Sequence, residues 1–196
     1  MIRITDLSHS FGDKQVFKAL SLEFPDTGAF VIMGDSGCGK TTLLNMIAGT
    51  LKPTLGEILS DRKELKVSYM FQEPRLLPWM SAAENVNLVL GGKKSTLIKA
   101  KELLSLVGLG ADADKYPSEL SGGMNQRVSF ARALAYQGDI LLLDEPFNGL
   151  DEDNVKKLIG IIKEYSKDHL VIAVTHAREY AEELSENIIC FNSASI

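Results

Sequence analysis

The segment Gly34–Thr42, with the sequence GDSGCGKTT, decides the fold of this chain. It satisfies the pattern G-x-x-x-x-G-K-[ST], with two glycines, a lysine and a threonine at the fixed positions. A continuously apolar run, Ala29–Met33, precedes it, and Lys40–Ala48 follows with apolar residues at helical spacing. We therefore expect a buried strand, a glycine-rich turn and a helix, in which backbone N–H groups and the helix N-terminus point at one oligophosphate.

This segment, called the phosphate loop below, carries several expected contacts. Lys40 supplies a mobile positive charge for the β- and γ-phosphates, and the Thr41 hydroxyl can bind Mg²⁺. The alternative is a glycine-rich turn that matches the pattern by chance, and the strand and helix on either side argue against it. The predicted nucleotide-binding residues here are Gly34, Asp35, Ser36, Gly37, Cys38, Gly39, Lys40, Thr41 and Thr42.

A second candidate group lies in Ile140–Pro146, which reads ILLLDEP. Four apolar residues predict a buried strand, and Asp144 and Glu145 follow at its carboxyl end, the edge where open α/β sheets bind ligands. We expect Asp144 to hold Mg²⁺ through water and Glu145 to act as the base that polarises the attacking water. The alternative is an acidic strand terminus without function, which the nearby phosphate loop disfavours.

Length, charge and cysteine content restrict the class of protein. The 196 residues suit a single domain over 1–196, and the net charge of −5, from 21 basic and 26 acidic side chains, gives no overall attraction for nucleic acid. No apolar run approaches the ~20 residues of a membrane-spanning helix, and the N-terminus lacks the pattern of a secretory signal. We expect Cys38 and Cys190 to be reduced thiols and the protein to be cytoplasmic.

The periodicity of apolar residues outlines the order of the elements. Ile2–Ser10 and Val16–Phe24 alternate like half-buried antiparallel strands, whereas Ile140–Leu143 and Leu170–Val174 are apolar throughout, as in buried parallel strands. Ser81–Tyr136 carries a helical stripe and no buried-strand run. The sequence therefore predicts an α/β fold, with a parallel-sheet core of the P-loop NTPase type, an N-terminal antiparallel β subdomain and a helical insertion subdomain over approximately residues 81–136.

A second glycine-bearing turn occurs in Leu120–Arg127, which reads LSGGMNQR and leads into a helical pattern. The N-terminus of that helix is a second potential anion site. Because the chain has two such sites but only one lysine-bearing loop, we infer that each copy completes the nucleotide site of another copy.

Taken in order, these motifs resemble those of the ATPase subunits of the ATP-binding-cassette (ABC) family over nearly the whole chain. The resemblance implies ATP and Mg²⁺ as ligands and a pair of ATPase subunits, expected to be a homodimer, in which Ser121, Gly122 and Gly123 press on the γ-phosphate held by the partner. Met124 stands where the family usually has glutamine. The LSGGM-x-QR form is similar to that of importers of nitrate, sulfonate and related anions, although Asn125 replaces the basic residue usual in them.

Three further roles follow from the resemblance alone. Gln72, in YMFQEPRLLPW, resembles the glutamine that senses Mg²⁺ and the attacking water, on a loop that contacts the membrane partner. His176, after LVIAVT, resembles the switch histidine that bonds the γ-phosphate. Asp151 resembles the aspartate that links the two sites of the dimer, although Asn148 and Gly149 replace more usual residues. The predicted catalytic residues are Glu145, His176 and Gln72, and the predicted metal-binding residues are Thr41, Gln72 and Asp144.

Two aromatic residues each have two open interpretations. Phe11 lies in the first hairpin, where the resemblance implies an aromatic ring stacked on adenine, and packing of the hairpin is the alternative. Trp79 lies close to Gln72, where the family receives its membrane partner. An exposed docking role for Trp79 competes with burial in the core of the helical insertion.

The resemblance also implies a physiological task. We expect ATP hydrolysis that energises solute transport through separate transmembrane permease subunits, with this chain peripheral on the inner face of the cell membrane. A non-transport ABC ATPase that acts on nucleic acid or ribosomes is the alternative, disfavoured because the sequence has no coiled-coil, zinc or basic-stripe feature. A regulatory module that binds ATP without turnover is a third interpretation. The transported substrate is set by other chains.

Overall fold

The structure, a computed structural model, describes residues 1–191. Within this range the strands and helices are, in chain order, β1 (Ile2–Phe11), β2 (Lys14–Phe24), β3 (Gly28–Gly34), α1 (Lys40–Ile47), β4 (Leu55–Ser60), β5 (Val67–Met70), α2 (Ala82–Val89), α3 (Leu97–Leu106), α4 (Gly122–Tyr136), β6 (Ile140–Asp144), α5 (Glu152–Tyr165), β7 (Leu170–Val174), α6 (Arg178–Leu184) and β8 (Ile188–Phe191). Short 3₁₀ turns occur at Lys94–Thr96, Gly110–Asp112 and Pro117–Glu119.

The N-terminal sheet is antiparallel and has the order β2-β1-β4. The hairpin of β1 and β2 confirms the predicted pair of half-buried strands, with Ile2 opposite Phe24 and Ile4 opposite Leu22. The sequence did not predict β4, because most of its side chains are exposed and lack the alternation of a half-buried strand. β4 joins the sheet through its pairing with β1.

The second sheet is parallel throughout and has the order β5-β6-β7-β3-β8. Every residue of β6 and β7 is buried, as their uninterrupted apolar sequences predict. Val174 lies beside both Ile32 and Asp144 in the register, so the carboxyl ends of β3, β6 and β7 meet at one edge. That edge carries the phosphate loop after β3 and the acidic pair at the end of β6.

Side chains of the parallel sheet alternate between two apolar clusters. Ile140 and Leu142 belong to the cluster shared with α1 and the N-terminal sheet, whereas Leu141 and Leu143 belong to the one shared with α5 and the helical insertion. Both clusters depend on one central sheet, which confirms the predicted α/β fold. The assignment of residues 1–196 to one domain stays a prediction, and residues 192–196 lie outside the described range.

Between Ser81 and Tyr136 the structure has helices and no strand, as predicted. α2 is capped by Ser81, whose hydroxyl accepts the N–H of Glu84 while the Glu84 carboxylate accepts the N–H of Ser81. The predicted stripe of α3 buries Ala100 and Leu104, and α3 packs on α2 and α4. The helical insertion therefore forms its own layer beside the parallel sheet.

Neither cysteine forms a disulfide. Cys38 is buried and Cys190 is exposed, and both are free thiols as predicted. Among the elements within residues 1–191, none is a helix of the length and apolarity that crossing a membrane requires.

Candidate active site

The phosphate loop joins the end of β3 to the start of α1 and needs glycine at two positions. Gly39 precedes α1 with φ +97°, and a Cβ there would lie 2.5 Å from Cγ1 of Val16. At Gly34 φ is +152°, and a Cβ would lie 2.4 Å from the carbonyl oxygen of Phe191. Larger residues at these positions would combine a strained backbone with a steric clash. The loop is thus seated closely on β2 and β8.

The side chain of Lys40 folds back into the loop and is 8% exposed. Its Nζ donates to the carbonyl oxygens of Gly34 at 2.7 Å and Asp35 at 2.9 Å, and Sγ of Cys38 lies 3.9 Å away. An ammonium has three N–H donors, so it can also bind a phosphate oxygen. The positive charge therefore already lies where the loop would hold an anion.

A cavity of about 520 Å³ opens at the carboxyl edge of the parallel sheet, a volume that suits a small organic ligand. Lys14 and Asn148 also line it and were not predicted as site residues, because Lys14 belongs to no recognisable motif and Asn148 departs from the residue usual at its motif position. Gly34, Asp35 and Cys38 are predicted residues that do not line it. The predicted residues that it brings together are Phe11, Ser36, Gly37, Gly39, Lys40, Thr41, Thr42, Gln72, Asp144, Glu145 and His176.

Asp144 ends β6 in a buried position and is 1% exposed. Burial raises the pKa of its carboxyl group, a hydrogen bond with the Thr41 side chain lowers it, the charge of Glu145 raises it and that of Lys40 lowers it. Among residues 1–191 no group forms a hydrogen bond with its Oδ1. An unpartnered buried carboxylate oxygen is costly, and a divalent cation would satisfy it.

The oxygen donors at this point suit Mg²⁺. A carboxylate and a threonine hydroxyl are hard ligands, and Mg²⁺ usually combines few protein ligands with waters and substrate phosphates. Within the described part of the chain, no group of three or more His, Cys, Asp or Glu side chains could hold a metal by itself. Asp144 and Thr41 therefore fit an ion that arrives with a nucleotide, and Gln72 lines the same cavity.

Glu145 follows with φ +50°, in the left-handed region that residues with side chains rarely adopt. This conformation costs about 1–3 kcal/mol and persists only where neighbouring groups fix it. The Glu145 N–H donates to the Val174 carbonyl at 2.9 Å, and the Glu145 carbonyl accepts from Nε2 of Gln126 at 3.3 Å. The strained turn brings a largely buried carboxylate to the wall of the cavity.

The imidazole of His176 contacts the Glu145 carboxylate, with Nδ1 3.0 Å from Oε2. An ionised carboxylate only accepts hydrogen bonds, so Nδ1 carries the proton between them. The His176 side chain is 68% exposed. It can therefore turn toward a ligand in the cavity without disturbing the core.

Gln72 follows β5 and begins a partly exposed segment, Gln72–Trp79, which we call the docking loop. Two polar side chains of the helical insertion anchor it. Arg132 donates to the carbonyl oxygens of Pro74 at 2.7 Å and Arg75 at 2.9 Å. Asn85, which is fully buried, accepts a loop N–H at 2.8 Å and donates to a loop carbonyl at 3.1 Å. The sequence did not reveal these anchors, because a polar residue in a helical pattern usually faces solvent.

Trp79 is 69% exposed, so the interpretation that buried it in the core of the helical insertion is wrong. A groove of about 280 Å³ lies between the parallel sheet and the helical insertion, and Phe71, just before the docking loop, lines it. Val89, Arg132 and Tyr136 line its other side. An exposed tryptophan and a partly apolar groove in this region are features of an interaction surface.

Ser121–Gly123, which we call the signature turn, does not line the cavity of its own chain. The Ser121 hydroxyl caps α4 by accepting a helix N–H at 3.2 Å. Gly123 is tightly packed, since a Cβ on it would lie 2.5 Å from the carbonyl oxygen of Gly149. Asp151 caps α5 in the same way, accepting a helix N–H at 2.9 Å. Contact of these residues with a nucleotide therefore stays a prediction that requires a second copy.

Phe11 lies beside the cavity and is 54% exposed. Its ring meets that of His9 edge to face, with centroids 4.6 Å apart. The contact with His9 belongs to the hairpin, but more than half of the Phe11 side chain is free for another partner. Its role in stacking on adenine stays a prediction.

Comparisons with known proteins agree with this geometry. A family model described as ABC transporter matches residues 17–148. An aliphatic sulfonates import ATP-binding protein, SsuB, of Zymomonas mobilis is 39% identical over 100% of this chain and 83% of that protein. A dimeric structure of the ABC transporter cassette MJ0796 shares 30% identity with a TM-score of 0.89, covering 98% of this chain and 94% of that one. A post-hydrolysis dimer of MJ0796 bound to ADP and Pi also shares 30% identity, with a TM-score of 0.87 over 97% and 94%.

Proposed function

Since the chain belongs to the ABC transporter family, and so is an ATPase whose hydrolysis of ATP drives transport, we propose that it powers an importer of small sulfonate-type anions. The observation that carries the proposal is the cavity in which Asp144 and Glu145 face the same space as Lys40 of the phosphate loop. The import of sulfonates is supported by the name of the SsuB relative. Action on nucleic acid or ribosomes finds no support among the relatives described above.

The bound nucleotide has its phosphates on the N–H groups of the phosphate loop, and Lys40 exchanges its carbonyl contacts for β- and γ-phosphate oxygens. The ring of Phe11 stacks on adenine at the side of the cavity. Mg²⁺, when bound, neutralises charge on the phosphates and fixes their orientation. The residues that would hold it are Thr41, Gln72 and Asp144.

Glu145 accepts a proton from the water molecule that attacks the γ-phosphorus. As the new P–O bond forms, the bond between the γ-phosphorus and the β–γ bridging oxygen breaks, and ADP leaves with that oxygen. His176 exchanges its contact with Glu145 for a γ-phosphate oxygen and stabilises the charge there. The 3.0 Å contact and the exposure of the imidazole support this exchange.

The second half of each site comes from a second copy of the chain. The signature turn and Asp151 of one copy close over the nucleotide of the other, in a head-to-tail homodimer. The position of the signature turn outside its own cavity supports this, as do the dimeric cassette structures. Contacts to the γ-phosphate exist only in the closed pair, so ATP binding favours closure and hydrolysis favours opening.

The docking loop and the adjoining groove receive the transmembrane permease subunits. Trp79 supplies an exposed aromatic side chain, and the groove offers apolar walls with the Arg132 guanidinium beside them. Aromatic residues and arginine are enriched in protein interfaces. This chain is therefore peripheral on the inner face of the membrane, where its movement on ATP binding reaches the permease.

The test is reconstitution of the complete transporter. The chain, affinity-tagged, is purified from gently solubilised native membranes, and the complex is placed in liposomes. Aliphatic sulfonate, presented with its external binding protein, should raise ATP hydrolysis and enter the liposomes, while nitrate and sulfate serve as matched anion controls. Recovery of no permease would contradict the proposed permease partner. Stimulation by nitrate or sulfate, without stimulation by sulfonate, would contradict the proposed substrate class.

A further inference from the structure

One buried side chain next to the catalytic carboxylate has no part in the reaction described above. Gln126, in the first turns of α4, is 4% exposed and donates from Nε2 to the carbonyl oxygen of Glu145 at 3.3 Å. We propose that Gln126 is a positioning residue, which holds the strained backbone of Glu145 and thereby places its carboxylate. The inference rests on the role proposed for Glu145, and it adds a residue that touches neither nucleotide nor water.

The need for such a residue follows from the backbone of Glu145. A side chain-bearing residue at φ +50° returns to a relaxed conformation unless its surroundings prevent it. The Asn148 N–H also donates to the Glu145 carbonyl, at 3.3 Å, but it belongs to the same turn and moves with it. His176 contacts the carboxylate from an exposed position. Among the described residues, Val174 and Gln126 are therefore the anchors that packed secondary-structure elements supply.

Helix α4 connects Gln126 to the signature turn. α4 begins at the signature turn, so Gln126 lies within two turns of the residues that we expect to meet the partner's nucleotide. Gly123 packs against the Gly149 carbonyl, which ties the same turn to the segment after Glu145. A helix moves as a rigid unit over this distance. Closure on one nucleotide is thus linked, within one chain, to the position of the base at the other.

The experiment replaces the amide donor without changing the length of the side chain. Gln126→Met should lower kcat by at least about tenfold, because a fraction of an ångström at a catalytic group is enough for such a loss. KM and the calorimetric affinity for ATP should stay within about twofold, since Gln126 is not part of the nucleotide cavity. Ser129→Ala is the matched control, because Ser129 is buried on the same helix and its hydroxyl has no partner among residues 1–191. It should keep the wild-type kcat.

A second measurement separates positioning from a general loss of structure. In a Glu145→Gln background, single-turnover rates should show no further loss from Gln126→Met, because the residue acts through the Glu145 carboxylate. An additional loss in that background, or an unchanged kcat in the single variant, overturns the inference. Where Gln126→Met does not fold, Gln126→Glu decides the same question, since an ionised carboxylate of equal length cannot donate to the carbonyl.

The wild-type protein distinguishes this inference from the proposed function. A wild-type chain that binds MgATP without releasing phosphate overturns both. Wild-type turnover together with a fully active Gln126→Met variant overturns the role of Gln126 alone, and the ATPase assignment stands.

Discussion

Nδ1 of His176 lies 3.0 Å from Oε2 of Glu145, so the residue expected to bind the γ-phosphate contacts the residue expected to activate water. They follow the ends of neighbouring parallel strands, β7 and β6, which the topology places side by side. If a phosphate draws the imidazole away, the carboxylate loses this hydrogen-bond donor, and Oε2 is open to the attacking water. We therefore expect nucleotide binding and activation of the base to be connected through this one hydrogen bond.

Glu145→Gln should lower kcat by about 10²–10⁴, because an amide keeps the shape of the carboxylate but does not accept the proton of water. The contacts that ATP makes between two copies would then persist. We expect the variant to elute as a dimer in MgATP, measured by size-exclusion chromatography with light scattering. The same variant in MgADP is the control and should be monomeric. A monomer that carries bound ATP would contradict the paired arrangement.

Lys40→Ala should weaken ATP binding at least about a hundredfold, since each charge-assisted hydrogen bond to phosphate contributes about 1.5–3 kcal/mol. Isothermal titration calorimetry of the purified protein measures the effect. Lys99→Ala removes an equal charge from the exposed surface of α3 and should leave the affinity unchanged. Equal affinities for the two variants would show that the nucleotide does not lie on the phosphate loop.

Asp144→Asn should stabilise the nucleotide-free protein and abolish the contribution of Mg²⁺ to ATP binding. Because burial raises the pKa of Asp144 above its ordinary value of 3.8, the folded chain holds this proton more tightly than the unfolded chain. The contribution of Asp144 to the free energy of unfolding is therefore greatest in acid, and it falls as pH rises from about 3.8 through the raised pKa. Once pH exceeds the raised pKa, the buried carboxylate carries a charge whose desolvation is a cost that asparagine removes.

The stability effect of Asp144→Asn is measured by thermal unfolding. Removing an uncompensated buried charge is worth at least about 1–3 kcal/mol, and each kcal/mol shifts the Tm of a chain of this size by about 2–4 °C. The wild-type protein with MgATP should gain far more stability than the variant does with the same ligand. A lower Tm for the nucleotide-free variant at neutral pH would contradict the account of Asp144 as a buried acid whose Oδ1 has no hydrogen-bond partner among residues 1–191.

Trp79→Ala should reduce the amount of permease that co-purifies from membranes at least about tenfold, because a central aromatic residue commonly contributes 2 kcal/mol or more to an interface. Quantitative immunoblotting of the purified complex measures the ratio of the chains. Tyr116→Ala is the control, since Tyr116 is also an exposed aromatic residue but lies outside the docking loop. Equal recovery of permease with both variants would place the docking surface elsewhere.

The sequence predicted those parts of the fold in which local patterns and burial agree. β6 and β7 are apolar throughout and fully buried, and the phosphate loop has a fixed residue pattern. β4, α6 and β8 were not predicted, because each is short and mostly exposed or only partly buried. Such elements owe their structure to pairing with β1 and β3 and to packing on α5, which a single sequence does not display.

In the candidate site, too, the sequence predicted the residues that belong to motifs and missed those that act through contacts between distant segments. Lys40, Asp144 and Glu145 belong to motifs in which residue type and spacing are dictated by phosphate chemistry, and the structure brings them to one cavity. Gln126 and Arg132 act on backbone carbonyls that are distant in sequence. No spacing rule connects a side chain to a carbonyl on another element, so such contacts become visible only when the fold is assembled.

Gly39→Ala should be more damaging than Gly37→Ala, although both glycines have positive φ, +97° and +78°. An added Cβ at Gly39 would lie 2.5 Å from Cγ1 of Val16, whereas at Gly37 the nearest atom is Nζ of Lys14 at 3.8 Å. Both variants carry the backbone strain of about 1–2 kcal/mol, and only Gly39→Ala adds a clash beneath the loop. The Tm should therefore be highest for the wild type, lower for Gly37→Ala and lowest for Gly39→Ala. The affinity for ATP should follow the same order. Equal stability of the two variants would mean that strain alone, and not the seating of the loop on β2, requires glycine at position 39.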